Sequence, residues 1–207
     1  MNKLQNKDCL QFLSKLKDNS VDLVLTEPPP GGGKKYLSWC MKWTTECVRV
    51  LKPNGMMIVW GTLKNESFLV YKYALNRNKQ LTEQNEIVFE CRTGRRSKKN
   101  FAHKHQHAWC YSKGKDFTYK NDSDHYTCVH SSTSRQSLDE LLINAYTIPG
   151  DTVLDIFMGD GDTAVSAKRL GRHYWGCESD QALYQRAKQR VSKKDASQSV
   201  TGVLQFI

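Results

Sequence analysis

The spacing of apolar residues changes repeatedly along this chain, from the short runs of buried strands to the spacing of helices. Runs rich in β-branched and aliphatic residues predict strands at 21–25, 56–60, 86–90, 108–111, 152–156 and 174–177. Apolar residues at helical spacing predict helices at 8–16, 37–52, 66–77, 136–146 and 182–191, and a further one after Gly161. Asp8 is suited to be the N-cap of the first of these. Strands that alternate with helices are typical of an α/β protein with an open, parallel sheet.

The length of the chain fits one domain. A chain of 207 residues can build one α/β sheet with a full core, and it shows no internal repeat or linker. We expect a single domain over 1–193, in which 92–135 forms a basic loop and a short recognition segment, and a tail over 194–207. Because the first residues form no apolar leader and no apolar run is long enough for a membrane span, we expect a protein of the cytoplasm, nucleoid or nucleus that is not secreted.

Positive charge is concentrated in one stretch of the chain. Lysine and arginine outnumber aspartate and glutamate by 31 to 21, and a net charge of +10 suits a polyanionic partner such as nucleic acid. Between 92 and 104 no residue is acidic, and the positive residues are Arg92, Arg95, Arg96, Lys98, Lys99 and Lys104. With Phe101 available for stacking, this stretch is the predicted nucleic-acid contact; a solvated charge run is the alternative.

Cysteine and histidine do not predict a metal site. The seven cysteines are odd in number, no pair has Cys-x-x-Cys spacing, and several lie in apolar patterns, so we expect reduced thiols packed in the core. His103, His105 and His107 alternate as if on one face of a strand, but the pattern places no carboxylate or thiolate beside them. We therefore predict no metal cofactor.

The stretch 150–180 predicts a cofactor site. A strand is followed by a turn with Gly159 and Gly161, then by a helix and a second strand that ends in Glu178. Glycines let a ligand approach bare backbone at a helix N-terminus, and a carboxylate at the next strand end can accept from ribose hydroxyls. Three aspartates lie in or beside this turn, Asp155, Asp160 and Asp162. Because negative charge repels a pyrophosphate, the turn favours a ligand with a cationic part, such as S-adenosylmethionine.

A second polar motif follows the first buried strand. Glu27 stands at the carboxyl end of that strand, and Pro28, Pro29 and Pro30 prevent the strand from continuing. In a parallel sheet this edge binds ligands. A carboxylate beside a free backbone carbonyl could grip an amino group that bears two hydrogens. The alternative is a rigid surface turn followed by a flexible glycine segment.

Taken together, these motifs resemble those of the β-group DNA amino-methyltransferases, which methylate adenine N6 or cytosine N4. The resemblance extends over most of the chain, from Asp8 to Val191. It rests on four segments of the sequence: DCLQFLSKLKDNSVDLVLTEPPP at 8–30, RVLKPNG at 49–55, SKKNFAHKHQHAWCYSKGKDF at 97–117 and PGDTVLDIFMGDGDTAVSAKRLGRHYWGCESD at 149–180. The fold it implies is a doubly wound, mainly parallel, seven-stranded Rossmann-like methyltransferase sheet in one domain.

The resemblance also implies roles for individual residues. Asp155, Phe157, Gly159 and Gly161 would hold the methionine end of S-adenosylmethionine. Glu178 would bind its ribose, and Asp8 its adenine amino group. Glu27, Pro28, Pro29 and Pro30 occupy the position of the family's catalytic tetrapeptide. DNA is the implied partner, with RNA as an alternative, and such enzymes often act as a homodimer or with a second subunit.

The sequence departs from the family pattern near the chemistry. Glu27 stands where aspartate or serine is usual, and Pro30 replaces the aromatic residue that stacks on a flipped base. Asp160 and Asp162 replace serine and threonine, and HSSTSRQ at 130–136 lacks the usual His-Pro-Thr-Gln-Lys-Pro form. We expect adenine-N6 methylation because a carboxylate stands at position 27. The alternatives are cytosine-N4 methylation and a catalytically silent relative that binds nucleic acid or activates a partner.

Overall fold

The computed structural model describes residues 2–61, 67–90, 104–120, 128–131 and 135–193. Within these residues the strands are β1 (Lys3–Asn6), β2 (Val21–Thr26), β3 (Leu51–Gly61), β4 (Thr82–Glu90), β5 (His105–Ser112), β6 (Val129–Ser131), β7 (Thr152–Asp155) and β8 (His173–Glu178). The helices are α1 (Cys9–Leu13), α2 (Gly33–Val50), α3 (Ser67–Asn76), α4 (Arg135–Tyr146), α5 (Asp162–Arg169) and α6 (Gln181–Ser192).

The strands form one mixed sheet in the order β1-β8-β7-β2-β3-β5-β4-β6. β5 runs antiparallel to both β3 and β4, and every other neighbouring pair of described strands is parallel. The predicted α/β class and the mainly parallel sheet are confirmed. The sheet contains eight described strands where the resemblance implied seven. Six of them correspond to the predicted segments, and the other two are β1, beside β8, and the three-residue β6, beside β4.

Helices cover both faces of the sheet, as a doubly wound fold requires. Side chains alternate along each strand: Val24 of β2 packs into the core beneath α1, α2 and α3, while Leu23 and Leu25 pack into the core on the side of α4 and α5. Trp43 of α2 is fully buried on the first face, and Leu142 of α4 is nearly so on the second. Both faces of the central strands are therefore dry, which explains their uninterrupted apolar sequence.

The winding of the chain reverses between β2 and β7. From β2 the chain crosses through α2 to β3, whereas from β7 it crosses through α5 to β8 on the opposite side of the sheet. At such a switch point the two crossovers diverge and leave a crevice above the carboxyl ends of the strands. The crevice therefore lies above Thr26 and Asp155, the last residues of β2 and β7.

Several predicted boundaries were wrong. Helix α2 begins at Gly33 rather than 37, so part of the glycine run that was considered as a flexible segment belongs to a helix. Residues 53–55, expected to separate a helix from a strand, lie within β3. They form an irregular part of this strand: Asn54 has a φ of 64°, and the register with β2 shifts between Val21 and Leu23. The amide of Asn54 donates to the carbonyl of Lys113, which attaches these residues to the chain after β5. Helix α1 is also shorter than the predicted 8–16.

Strand β1 was not predicted, since its sequence KLQN has no apolar alternation. It pairs in parallel with β8, with Lys3 opposite Trp175. The side-chain amide of Asn6 donates to the carbonyl of Glu178 at 2.7 Å and fixes the end of this pairing. Pairing with a strand 172 residues away creates β1, and no local sequence pattern can predict that pairing.

Most of the described cysteines lie in the core. Cys9, Cys40, Cys47, Cys110 and Cys177 are buried free thiols, so the prediction of core cysteines is confirmed for them, whereas Cys128 is exposed. Burial raises the pKa of the Cys9 thiol to about 12, which keeps it protonated.

None of the helices within the described ranges is long and apolar enough to cross a membrane.

Candidate active site at the switch point of the sheet

A cavity of about 310 Å³ opens at the carboxyl ends of β2 and β7. Its lining comes from three parts of the chain: the residues after β2, one residue of α4, and the turn between β7 and α5 with the first turn of α5. The lining residues are Glu27, Pro28, Pro29, Pro30, Asp139, Asp155, Phe157, Met158, Gly159, Asp160, Asp162 and Thr163. The proline motif and the glycine turn, more than 120 residues apart in the chain, therefore face one space.

Asp155 joins the two strands that border the cavity. Its Oδ1 accepts from the Thr26 hydroxyl at 2.6 Å and from the Phe157 amide at 3.1 Å. Burial raises the pKa of Asp155 to about 6, and these two hydrogen bonds oppose the rise. At neutral pH the site thus holds a largely dry negative charge, which a cationic ligand would stabilise.

The glycine turn adopts backbone angles that favour glycine. Gly159 has φ 52° and Gly161 has φ 89°, both in the left-handed region. Gly161 is also the N-cap of α5, and a Cβ built on it would lie 2.9 Å from the Cβ of Ala187 in α6. The turn therefore needs glycine at 161 for two reasons, its conformation and the close approach of α6.

Gly161→Ala is expected to destabilise the protein by about 2–4 kcal/mol. The left-handed conformation costs a residue with a side chain about 1–2 kcal/mol, and the contact with Ala187 adds an overpacking penalty of similar size. Urea unfolding of the variant and the parent would measure the loss. The matched control is Gly32→Ala, because Gly32 has an extended φ of −161° and its added Cβ would meet nothing within 4 Å. Equal stability losses in the two variants would contradict this account of Gly161.

Glu178 supports the glycine turn from the neighbouring strand. Its Oε2 accepts from the Gly159 amide at 2.9 Å, and its Oε1 accepts from the Asp180 amide at 2.9 Å. The side chain is partly buried beside the cavity and is not part of its lining. The predicted ribose contact stays a prediction, and the structure adds a local role, since this carboxylate holds the turn in place.

Asp8 is the N-cap of α1, as the sequence predicted. Its Oδ1 accepts from the amides of Leu10 and Gln11 at 2.9 and 3.2 Å. The preceding amide, that of Lys7, donates to the carbonyl of Glu178 at 3.1 Å. These bonds place Asp8 close to the end of β8, on the same edge of the sheet as the cavity, and its predicted contact with an adenine amino group remains a prediction.

The proline segment is held by two helices. Glu27 is half-buried, Pro28 is buried, and Pro29 and Pro30 are exposed. The hydroxyl of Tyr36 in α2 donates to the carbonyl of Pro29 at 2.6 Å. This bond occupies one of the carbonyls of the segment and fixes its path beyond Glu27.

The next residue of this segment, Gly31, is held by α3. The Ser67 hydroxyl accepts from the Gly31 amide and lies 2.9 Å from the Gly31 carbonyl as well. A Cβ built on Gly31 would lie 2.2 Å from the ring of Tyr36, so only glycine fits there. The segment is thus fixed to the protein at Pro29 and Gly31, while Pro29 and Pro30 themselves stay exposed.

Asp139 is a site residue that sequence reasoning missed. It lies in α4, is only 1% exposed, and accepts from the Thr163 hydroxyl through Oδ2 at 3.1 Å. The signal in the sequence was weak: an aspartate between two leucines of an amphipathic helix is normally assigned to the solvent side. Only the packing of α4 against α5 places this carboxylate in the lining of the cavity.

The other acidic residues of the turn are paired. Asp162 accepts a hydrogen bond from Nη2 of Arg190, and Nη1 of the same guanidinium lies 2.9 Å from Oδ1 of Asp160. Arg190 belongs to α6, the helix that packs on Gly161. The negative charge that the sequence indicates in this turn is therefore neutralised in large part from outside the cavity.

Of the predicted nucleic-acid contacts, Lys104 alone falls among the described residues. It is exposed and directly precedes β5. Arg92, Arg95, Arg96, Lys98 and Lys99 lie outside the described residues, as do His103 and the tail over 194–207. His105 and His107 do share a face of β5, with ring centroids 4.9 Å apart, and His107 is paired with Glu86.

The fold and the cavity define the class of protein. The family model described as DNA methylase, covering N6- and N4-specific enzymes, matches residues 21–140 and 129–189, and the chain belongs to this family. The match includes the proline motif, the glycine turn and the helix that carries Asp139. The family resemblance inferred from the sequence is confirmed.

Individual proteins are similar to this chain in sequence or in fold. The chain is 27% identical over 258 residues to the type II methyltransferase M.BamHI of Bacillus amyloliquefaciens, an alignment that covers 98% of this chain and 60% of that protein. Among solved structures, the PvuII DNA methyltransferase, named as cytosine-N4-specific, has a TM-score of 0.80 at 17% identity, with 94% of this chain and 88% of that chain covered. A complex of M1.HpyAVI with SAM has a TM-score of 0.76 at 23% identity, with 93% and 100% covered.

Proposed function

We propose that this protein transfers a methyl group from S-adenosylmethionine to an exocyclic amino group of a DNA base, with adenine N6 as the preferred target. The observation that carries the proposal is the convergence of two motifs on one cavity. Glu27 provides a carboxylate acceptor on one side, and the turn from Asp155 to Asp160 provides backbone that a cofactor can approach closely at Gly159 on the other. The family supplies the reaction class, and the carboxylate at position 27 supplies the preference for adenine.

The lining of the cavity suits the proposed cofactor. Asp155, Asp139 and Glu27 present carboxylates that complement a cationic ligand. The first amides of α5, whose N-cap provides no side-chain hydrogen bond, complement an anionic group. S-adenosylmethionine carries both kinds of charge and supplies a methyl group activated by its sulfonium. Glu178 and Asp8, at the adjoining edge of the sheet, are proposed to hold its ribose and adenine groups.

Glu27 and Pro28 are proposed to position the target amino group. Glu27 accepts one of its hydrogens and the Pro28 carbonyl accepts the other, which points the nitrogen lone pair at the methyl carbon. As the bond from nitrogen to carbon forms, the bond from carbon to sulfur breaks, and the extra proton on nitrogen leaves through Glu27 or water. Orientation by fixed acceptors provides most of the rate, and this explains why the segment is fastened by Tyr36 and Ser67.

The target base must leave the duplex before it can reach this cavity. An enzyme that modifies a base extrudes it from the stack, and positive side chains on the phosphates hold the DNA while it does so. The stretch from 92 to 104 is the proposed backbone contact, with Lys104 at its described end. Recognition is completed by residues of 112–135, either alone or with a second subunit.

A catalytically silent protein is the second candidate, and the proline segment favours it. Pro30 offers no aromatic ring for stacking, and base stacking contributes about 1–3 kcal/mol in nucleic-acid sites. The glutamate at position 27 also carries its carboxylate farther from the backbone than an aspartate would. A protein of this kind would bind the cofactor or DNA and act through a partner.

The test is incubation of the purified protein with tritiated S-adenosylmethionine and mixed-sequence DNA, followed by digestion to nucleosides. We expect the label in N6-methyldeoxyadenosine. Label in N4-methyldeoxycytidine would reassign the target base within the same mechanism. Binding of the cofactor without any labelled nucleoside would support the silent protein and reject the proposed reaction.

A further inference from the structure

Arg190 holds the cofactor turn through both of its acidic residues. Its Nη1 lies 2.9 Å from Oδ1 of Asp160 and donates to the backbone carbonyl of Asp160 at 3.0 Å, while Nη2 bonds to Asp162. The side chain of Arg190 is 31% exposed, and those of Asp160 and Asp162 are 50% and 36% exposed. A single guanidinium therefore links the turn before α5, the first residue of α5, and helix α6.

The position of Arg190 is set by the packing of α6. Asp180 caps this helix by accepting from the amides of Ala182 and Leu183, and Ala187, one turn before Arg190, contacts Gly161. Residues three apart lie on the same face of a helix. The close contact at Gly161 and the ion pairs at Asp160 and Asp162 are consequently one continuous interface between α6 and the turn.

Without Arg190 the turn would be poorly suited to an anionic group. The first amides of a helix and its dipole attract anions, and α5 begins at the wall of the cavity. Two carboxylates at the same place oppose that attraction, because like charges within a few ångströms repel in a partly dry site. Neutralising them from the outer side restores the attraction without placing a cation inside the cavity.

We infer that Arg190 is a positioning residue for the cofactor: it compensates Asp160 and Asp162 so that the N-terminus of α5 can accept the carboxylate of S-adenosylmethionine. The inference rests on the proposed function for the identity of the cofactor. It explains why this chain can carry aspartates at two positions where its family usually has serine and threonine. Arg190 does not line the cavity, so its action is through the turn.

The inference is tested by calorimetric titration of the protein with S-adenosylmethionine. Arg190→Ala is expected to weaken binding about five- to tenfold, a modest loss because partly exposed ion pairs are screened by water. In the background Asp160→Ser with Asp162→Thr, where no charge needs compensation, the same Arg190→Ala change is expected to alter the dissociation constant less than twofold. Arg190→Lys, which keeps the charge, is expected to recover part of the lost affinity.

A second ligand separates charge compensation from a merely structural role. Decarboxylated S-adenosylmethionine keeps the sulfonium and the amine, so Arg190→Ala is expected to leave its binding unchanged or tighter. Equal losses for both ligands, or an equal loss in the serine and threonine background, would overturn the inference in favour of simple packing. Failure of the unmodified protein to bind S-adenosylmethionine would instead reject the proposed function, together with the role of Arg190 in it.

Discussion

Glu27→Gln is expected to lower the rate of methyl transfer about 10²- to 10⁴-fold, the range found when a positioned acid–base group is lost. The substitution keeps the size of the side chain and removes its charge, and an amide is a weaker acceptor for the hydrogens of the target amino group. Since Glu27 is half-buried at the end of β2, the fold should tolerate the change. Single-turnover transfer from tritiated S-adenosylmethionine measures the rate.

The effect of Glu27→Gln is interpreted with two further measurements, its affinity for S-adenosylmethionine and the transfer rate of a control variant. The dissociation constant for S-adenosylmethionine should change little in Glu27→Gln, because the loss is expected in the step that orients the base. Glu46→Gln is the matched control: Glu46 lies in α2, pairs with Arg49 at 2.8 Å and is not among the residues that line the cavity. A rate for Glu27→Gln within about twofold of the control would remove Glu27 from the proposed mechanism.

Asp155→Asn is expected to make the protein more stable above pH 6 and poorer at binding the cofactor. Burial raises the pKa of Asp155 to about 6, which means that the folded protein disfavours its charge. Well below its unfolded pKa of about 4, the carboxyl group is protonated in both the folded and the unfolded protein. Folding then buries no charge at Asp155 and costs no free energy for it. As the pH rises through about 6, the native protein must bury the charge and loses stability.

The size of this effect follows from the shift in pKa. A shift of about two units corresponds to about 3 kcal/mol at most, and we expect Asp155→Asn to gain about 1–3 kcal/mol at pH 8. The asparagine carbonyl can still accept from Thr26 and Phe157, so the link between β2 and β7 is kept. Urea unfolding of both proteins at pH 4.5 and pH 8 measures their free energies of unfolding. We expect the advantage of Asp155→Asn over the parent to be larger at pH 8.

A stability difference of the same size at both pH values would show that the buried charge of Asp155 does not cause the difference. Calorimetry on the same samples should show weaker binding of S-adenosylmethionine by Asp155→Asn, because the carboxylate that faces a cationic ligand is gone. Stability gained and affinity lost in one substitution would mark Asp155 as a group retained for its site, at a cost to the fold.

Sequence reasoning succeeded where local chemistry is specific. Three features were placed correctly at the carboxyl ends of their strands: Glu27 directly after β2, the glycine turn after β7, and the carboxylate of Glu178 at the end of β8. Apolar runs and special backbone angles are short-range properties, and each leaves its own signature in a few consecutive residues. The cap at Asp8 is a further case, since it depends only on amides two and three residues ahead.

The features that the sequence did not predict depend on residues distant in the chain. β1 exists only through its pairing with β8, and the inclusion of 53–55 in β3 depends on β2 and on residue 113. The sequence predicts that Asp139 lies on the solvent side of an amphipathic helix, whereas the packing of α5 against α4 buries it. In each case the deciding partner lies at least 24 residues away in the chain, where no periodicity or turn signal can report it.

By itself the sequence determined the α/β class, the membership in a DNA methylase family and the two motifs that carry the proposed chemistry. Only the tertiary structure decided that these motifs share one cavity, that Asp155 is bonded to Thr26 across the switch point, and that Arg190 neutralises the acidic turn. The reason is physical: residue type and local spacing fix what a segment can do. Burial and charge pairing depend on neighbours that the chain brings together only when the sheet is complete.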